Sequence, residues 1–170
     1  MPTAMRPRRS ILYVPGSNAR ALEKSRALDV DGLILDLEDA VAPEAKSSAR
    51  DAIAASLDAG GFGHREVAIR INALATEWGA ADLAMAAKAG ADAVLLPKVF
   101  SPGDIAAARG ALSAAGAPDR LALWAMMETP LAILNARDIA ATARTIRYPL
   151  TVFIMGTNDL AKETRGALVA

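Results

Sequence analysis

The sequence predicts an α/β fold built on a parallel β-sheet. Short apolar and β-branched runs alternate with longer alanine-rich stretches, as in successive βα units. Most of the apolar runs are unbroken, which indicates strands buried on both faces. The composition agrees with a globular domain, because 53% of the 170 residues are hydrophobic and 22% are charged.

Six strands and the helices between them can be assigned in chain order. The predicted strands cover residues 10–15, 32–36, 67–72, 93–98, 121–127 and 150–156. The predicted helices cover 17–28, 43–57, 77–89, a segment from 101, a segment ending near 143, and 158 to the end. Ser17 or Asn18 is the expected cap of the first helix, and Ser101 followed by Pro102 begins the fourth.

Two architectures fit six βα units. A closed (β/α)8 barrel has eight units and about 250 residues, so length alone favours an open doubly wound sheet. The first turn, however, lacks the G-x-G-x-x-G pattern of dinucleotide-binding folds, and no Walker A sequence occurs. Polar residues also follow strand after strand at the carboxyl end, and in a barrel these ends meet at one mouth.

Composition excludes several kinds of chemistry. The chain has no cysteine and one histidine, His64, which we place on the surface. Disulfides, thiolate catalysis, zinc–thiolate sites and iron–sulfur clusters are therefore excluded, as are multi-histidine metal sites. Lys plus Arg and Asp plus Glu both total 19, which gives no reason to expect a nucleic-acid partner.

The sequence gives no sign of membrane insertion or export. Its apolar runs are interrupted by charges well before the roughly 18 residues of a membrane span. Only five apolar residues, 11–15, follow the basic amino terminus, which is too short for a signal peptide. We therefore expect no membrane partner and a cytoplasmic location.

Two acidic residues are candidate metal ligands. Glu128 ends the apolar run 121–127, and Asp159 occupies the corresponding place one unit later. Carboxylates on neighbouring strand ends suit Mg²⁺, which accepts one or two of them and fills its remaining positions with water and substrate oxygens. The alternative is that each acid caps the helix that follows it.

Arg70 is a candidate ligand for an anionic substrate. It lies in an apolar strand, where its permanent charge needs a planar anionic partner. A bound carboxylate or enolate would serve, and so would a buried ion pair with Asp36 or Glu38. In the acidic run of Asp36, Glu38 and Asp39, we expect some members to orient Arg70 or metal-bound water.

Two basic features leave alternatives open. Lys98 ends the fourth strand and either faces the mouth or is solvated. Arg6, Arg8 and Arg9 precede the first strand and form either a site for a phosphorylated ligand or a flexible basic terminus.

The motifs, taken together and in order, closely resemble the citrate lyase β-subunit-like branch of the HpcH/HpaI aldolase superfamily, which includes malyl-CoA and citramalyl-CoA lyases. The matching segments are RSILYVPGS (9–17), LDLEDAVAP (35–43), RIN (70–72), LPKV (96–99), METP (127–130) and GTNDLA (156–161). The resemblance implies a TIM (β/α)8 barrel, represented here by a single partial domain, 1–170, truncated after the sixth unit. Strands seven and eight and a lid segment would be absent.

The resemblance also implies a site and a reaction. Glu128 and Asp159 would bind Mg²⁺, Arg70 would bind the substrate, and Arg70 and Glu128 would be the catalytic and substrate-binding pair. Asp36, Glu38, Asp39 and Lys98 would support them. The reaction would be Mg²⁺-dependent cleavage or formation of a C–C bond in a 3-hydroxyacyl-CoA such as malyl-, citramalyl- or citryl-CoA.

Members of this family are commonly trimers or hexamers, so the resemblance implies a homo-oligomer. For the malyl-CoA lyase branch, the resemblance implies an acidic lid residue from the neighbouring subunit as the proton-transfer group. Two alternatives stay open. One is an HpaI-type metal-dependent aldolase that acts on free hydroxy-keto acids without CoA, and the other is an inactive fragment or interaction subunit.

Overall fold

The computed structural model describes residues 6–167, which form one parallel sheet flanked by helices. The strands are β1 (Ile11–Pro15), β2 (Gly32–Asp36), β3 (Glu66–Arg70), β4 (Ala93–Leu96), β5 (Ala122–Met127) and β6 (Leu150–Met155). The α-helices are α1 (Ala19–Ser25), α2 (Lys46–Ala59), α3 (Gly79–Ala86), α4 (Pro102–Ala114), α5 (Pro130–Leu134), α6 (Ala136–Ala141) and α7 (Thr157–Thr164). Short 3₁₀ helices cover Pro43–Ala45 and Thr142–Arg144.

The strand order decides between the two architectures that the sequence left open. The six strands pair in chain order from β1 to β6, all in parallel. An open doubly wound sheet reverses its order at a switch point, whereas a barrel does not. The sheet curls into a partial (β/α) barrel, as the resemblance implied.

Two apolar cores hold the curled sheet. The larger core packs the outer strand faces against the helices. The smaller core fills the inside of the curl and consists of Ile34, Ala68, Ala93, Leu95, Trp124 and Met126. Trp124 is completely buried there, in the way that inward-pointing side chains fill a barrel. These layers fix the strands whose carboxyl ends carry the candidate site.

Several boundaries differ from the prediction for identifiable reasons. The fourth strand ends at Leu96, because Lys98 takes a left-handed conformation with φ of 50°. The helix expected to run to about 143 is broken at Asn135, whose φ and ψ are −92° and 5°. The last helix ends before Arg165, which is left-handed, so its predicted extension is wrong up to residue 167 and lies outside the described residues after that.

The capping predictions can be compared directly. Asn18, rather than Ser17, caps α1 by accepting a hydrogen bond from the backbone N–H of Ala21 at 3.0 Å. Ser101 caps α4 in a reciprocal capping box with Asp104, a motif that satisfies two otherwise unpaired donors.

The basic amino-terminal cluster does not form a free phosphate site. Arg8 donates two hydrogen bonds to Glu66, at 2.6 and 2.9 Å, and Arg9 binds Asp31 at 2.7 and 2.9 Å. Both acids lie at the amino-terminal ends of strands, opposite the carboxyl-terminal mouth. The interpretation as a phosphate-binding cluster is therefore wrong for these two arginines, whose charges are already paired.

Within residues 6–167, no helix has the length and apolar content needed to span a membrane.

Candidate active site

The carboxyl ends of the strands enclose a polar cavity of about 300 Å³. It is lined by Tyr13, Asp39, Arg70, Met126, Glu128, Met155, Gly156, Thr157, Asn158 and Asp159. Four of the sequence-predicted site residues, Asp39, Arg70, Glu128 and Asp159, therefore share one cavity although they come from four different βα units. In barrels, this is the end at which active sites lie.

Glu128 is a buried carboxylate held by a backbone amide. It follows β5, is 2% exposed, and accepts a hydrogen bond from the Lys98 N–H at 2.7 Å through Oε1. The alternative that Glu128 caps the next helix is wrong, because Thr129 caps α5 by accepting from the Ala132 N–H at 3.0 Å. The carboxylate of Glu128 is thus directed toward the mouth rather than toward the helix.

The ammonium group of Lys98 links Asp159 to Glu128. Asp159 lies in the first turn of α7, but no side chain caps this helix, and the Asp159 carboxylate accepts a hydrogen bond from Lys98 Nζ instead. The same Nζ lies 3.5 Å from Glu128 Oε1. The hydrogen bond from Lys98 holds the pKa of Asp159 below its usual value, so this carboxylate is ionised at neutral pH. The alternative of Lys98 as a merely solvated lysine is also wrong.

The residues present fit a divalent cation of the Mg²⁺ type. Two carboxylates converge on one position that already attracts a cation, the Lys98 ammonium. In residues 6–167, no cluster of three or more His, Asp or Glu side chains is arranged to hold a metal. A site with two carboxylates suits Mg²⁺, which keeps several water ligands or takes substrate oxygens, better than it suits zinc.

Gly156 makes room for the buried carboxylate. A Cβ atom at this position would lie 2.5 Å from Glu128 Cβ and 2.8 Å from Glu128 Oε2. Real Cβ atoms do not approach other atoms so closely, so any larger residue would displace Glu128 from its present position.

We therefore expect Gly156→Ala to weaken Mg²⁺ binding by about tenfold or more, as changes beside metal ligands commonly do. Titration calorimetry measures the loss. The matched control is Gly110→Ala, because a Cβ there meets nothing within 4 Å and lies inside α4. This control should bind Mg²⁺ as the wild type does, and equal affinities in both variants would contradict the assigned role of Gly156.

Arg70 joins the three acids of the 36–39 run. Its Nε and Nη2 donate to the two carboxylate oxygens of Asp36 at 2.7 and 2.6 Å. Its Nη1 lies 2.7 Å from Glu38 Oε2 and 3.2 Å from Asp39 Oδ2. The ion pair that the sequence offered as an alternative is therefore present, and all three acids of the run contact Arg70. Binding of a substrate by Arg70 stays a prediction.

The three acids do not bind the nitrogen atoms of the Arg70 guanidinium equally firmly. Asp36 is 1% exposed and binds in the bidentate geometry that fixes a guanidinium plane. Glu38 Oε2 is buried and, despite its short distance to Arg70, lacks hydrogen-bond geometry. Asp39 is 69% exposed. The Nη1 edge of Arg70, which donates to the exposed Asp39 at 3.2 Å, is thus the less firmly bound edge.

The local fold fixes the loop that carries Glu38. Lys46 Nζ donates to the backbone carbonyls of Leu37 and Glu38, each at 2.7 Å. The same ammonium lies 5.3 Å from the centre of the Trp78 ring, within the range of a cation–π contact. Lys46 is buried, so it restrains the loop and leaves the cavity to other residues.

Glu38 has a strongly perturbed carboxyl group. Burial, aided by Asp39 and Glu128 and opposed by Arg70 and Lys98, raises its pKa to about 7. The unfolded chain ionises this group near its usual value of 4.5. As pH rises from 4.5 to 7, the unfolded state therefore loses its proton first, and the native state is progressively destabilised.

We expect Glu38→Gln to remove this pH dependence. Wild-type protein should lose unfolding free energy between about pH 4.5 and 7 relative to the variant, and urea denaturation at several pH values measures the difference. Parallel stability curves for the two proteins would contradict the raised pKa.

The sequence interpretation missed Tyr13 as a lining residue. Its ring lies 5.1 Å from Arg70 Cζ, and its hydroxyl donates to Met126 Sδ at 3.5 Å. Sulfur is a weak acceptor, so the hydroxyl keeps capacity for a partner in the cavity. The available signal was a phenol two residues before the end of an otherwise apolar strand.

The other predicted residues lie outside the cavity lining. Asp36 and Glu38 contact Arg70, and Lys98 contacts the two metal-ligand candidates. Exposed His64 lies just before β3, at the opposite end of the sheet, as expected.

A partial β/α barrel with two carboxylates and an arginine at its carboxyl end defines a TIM-barrel-type protein whose polar site lies at the end where such barrels place their active sites. Within that class, the sequence model of the HpcH/HpaI aldolase/citrate lyase family matches residues 9–167. The chain therefore belongs to the HpcH/HpaI aldolase/citrate lyase family, as the resemblance indicated.

Relatives with assigned activities are similar over most of this chain. A (3S)-malyl-CoA thioesterase of Cereibacter sphaeroides strain KD131 is 52% identical over 157 residues, which cover 92% of this chain and 51% of the relative. The citrate lyase β subunit of Escherichia coli K12 is 36% identical and covers 94% of this chain and 53% of that protein. The chain thus spans about half the length of these relatives.

Solved structures agree with the fold. The citrate lyase β subunit of Mycobacterium tuberculosis, complexed with oxaloacetate and magnesium, superposes with a TM-score of 0.71 at 30% identity. The match covers 92% of this chain and 61% of the other. A second structure from that organism, at 28% identity and a TM-score of 0.71 over 92% of this chain and 51% of the other, contains magnesium, acetoacetate and coenzyme A.

Proposed function

We propose that the protein is a Mg²⁺-dependent carbon–carbon lyase that acts on a 3-hydroxyacyl-CoA such as malyl-, citramalyl- or citryl-CoA. The observation that carries the proposal is that the Glu128 and Asp159 carboxylates converge on one position, now held by the Lys98 ammonium. Both carboxylates line the same cavity as Arg70. The complexes of a related protein with magnesium, acetoacetate and coenzyme A support the substrate class.

The charge balance of the site supports a need for a divalent cation. Five carboxylates, those of Asp36, Glu38, Asp39, Glu128 and Asp159, surround two cations, Arg70 and Lys98. The excess negative charge would repel an anionic keto acid or acyl-CoA. A bound Mg²⁺ would offset two of these charges, and a protonated Glu38 would offset a third.

When bound, Mg²⁺ would polarise the oxygen that is a hydroxyl in the 3-hydroxyacyl-CoA and a carbonyl in the keto acid. Glu128 and Asp159 would hold the ion. In the cleavage direction the hydroxyl loses its proton, the C–C bond breaks, and its electron pair passes to the carbon next to the thioester, which then takes up a proton. Arg70 would bind the acid carboxylate or stabilise the enolate charge through its Nη1 edge, where a well-placed donor contributes about 3–4 kcal/mol.

Thioester hydrolysis is the second candidate, because a relative that is 52% identical is a (3S)-malyl-CoA thioesterase. The two reactions give different products from malyl-CoA. Cleavage gives glyoxylate and acetyl-CoA, whereas hydrolysis consumes water and gives malate and free CoA thiol. For a lyase, we expect the keto acid to form.

The deciding assay therefore follows both products. Malyl-CoA, citramalyl-CoA and citryl-CoA are tested with Mg²⁺ and with a chelator, and the keto acid and the free thiol are quantified separately. Formation of keto acid that requires Mg²⁺ would support the lyase activity. Formation of free thiol without keto acid would contradict it and indicate thioester hydrolysis instead. Turnover of free hydroxy-keto acids at equal efficiency would favour an HpaI-type aldolase.

We also propose a homo-oligomer, the state that the family resemblance implies. On β6, the apolar side chains of Phe153 and Met155 are exposed within the described residues 6–167. Exposed apolar side chains of this kind favour association. Light scattering that shows a trimer or hexamer would support this, and an inactive but self-associating protein would favour the interaction-subunit alternative.

A further inference from the structure

Lys98 links the two candidate metal ligands, and the proposed function gives it no role beyond its charge. It is a non-glycine residue in the left-handed region, with φ of 50°, directly after β4. Its backbone N–H holds Glu128, while its ammonium contacts Asp159 and lies 3.5 Å from Glu128. One residue therefore anchors one candidate ligand through the backbone and links both ligands through the side chain.

The Lys98 ammonium balances the negative charge of the two neighbouring carboxylates. Glu128 is almost fully buried, and two carboxylates that face each other at such a position are costly without a cation. The ammonium supplies that charge, because it contacts Asp159 and lies 3.5 Å from Glu128 Oε1. An ammonium and a divalent ion both require the same carboxylate oxygens, so they compete.

The side chain of Lys98 is also able to move its ammonium group away from the two carboxylates. This side chain is 30% exposed, and the lysine stem has four flexible methylene groups that allow the ammonium to swing away. The backbone hydrogen bond from Lys98 to Glu128 does not depend on where the side chain points. The buried ligand can thus stay fixed while the cation exchanges.

We propose that the Lys98 ammonium is the exchangeable counter-ion of the Glu128–Asp159 pair. It keeps the two carboxylates together until a divalent cation binds, and it is then displaced toward the cavity, where it meets an anionic group of the substrate. This inference rests on the metal site of the proposed function.

Titration calorimetry with MgCl₂ tests the exchange in the wild type, Lys98→Met and Lys162→Met. Lys162 is the matched control, because it lies one turn after Asp159 on α7, and among residues 6–167 it makes no ion pair. We expect Lys98→Met to bind Mg²⁺ about tenfold more tightly than the wild type, equivalent to about 1.4 kcal/mol. Lys162→Met should stay within about twofold, because exposed charges are screened.

Thermal unfolding supplies a second readout. Without Mg²⁺, Lys98→Met should melt below the wild type, because its two carboxylates lack a counter-ion. Saturating Mg²⁺ should remove that difference. A merely structural lysine would lower the melting temperature equally under both conditions, and that result would overturn the proposal.

The binding outcomes separate this inference from the proposed function. Equal affinity in Lys98→Met and Lys162→Met, or weaker binding in Lys98→Met, would overturn the exchange. If Glu128→Gln abolishes Mg²⁺ binding in the same series, the metal site of the proposed function stands despite that failure. Absence of Mg²⁺ uptake in every protein, including the wild type, would overturn both.

Discussion

Glu128→Gln and Asp159→Asn should each abolish Mg²⁺-dependent turnover. Each change removes one charged ligand while keeping the size of the side chain, so the loss should exceed the roughly 100-fold effect of changes outside the ligand set. In Glu128→Gln, the side-chain amide oxygen can still accept from the Lys98 N–H, which binds Glu128 at 2.7 Å. The free energy of unfolding should therefore change by about 1 kcal/mol or less. Product formation at saturating substrate and urea denaturation measure the two effects.

The control for these variants is Asp119→Asn. Asp119 is a 65% exposed acid that pairs with Arg147 on the surface, and its loss should leave turnover unchanged, because exposed ion pairs contribute little. Wild-type turnover in Glu128→Gln would contradict the role of Glu128 as a ligand of a catalytic Mg²⁺. A collapse in stability without any change in Mg²⁺ affinity would instead reduce Glu128 to a structural residue.

Arg70→Lys should lower kcat/KM by at least about 100-fold, which corresponds to loss of a fixed donor for developing charge. Lysine keeps the positive charge but lacks the planar fork that binds Asp36 through two bonds at 2.6 and 2.7 Å. It cannot serve Asp36 and the cavity at the same time. We also expect the unfolding free energy to fall by about 1–3 kcal/mol, because a buried acceptor loses a partner.

Arg147→Lys provides the comparison for this substitution. Its partner Asp119 is exposed, so the same exchange there should change neither activity nor stability appreciably. Activity is measured well below the melting temperature of Arg70→Lys, and KM for the keto acid is determined in the synthetic direction. Normal kinetics with reduced stability would show that Arg70 serves only the ion pair with Asp36.

The sequence was sufficient to predict the strands because their signal is local. Each strand is an apolar run buried on both faces, and β2 and β3 are buried along their whole length. The polar residues that follow them were therefore assigned to the correct end of the sheet. The helix break at Asn135 was not predicted, because asparagine disfavours a helix much less strongly than proline or glycine does.

The contacts inside the site could not be predicted, because they depend on register between distant segments. Asp36 and Arg70 are paired neighbours across β2 and β3, which local pattern does not reveal. Lys98 and Asp159 are 61 positions apart. The pairing of Arg8 with Glu66 had a usable signal, since residues that precede a strand lie at the amino end of the sheet, away from the mouth.

The most direct test of the proposed metal site is a crystal structure of the protein grown with Mg²⁺. We predict one ion with an oxygen of Glu128 and an oxygen of Asp159 both at about 2.0–2.1 Å, and the Lys98 ammonium moved away from them. A structure in saturating Mg²⁺ that shows no ion between these carboxylates, with Lys98 still bonded to Asp159, would contradict it.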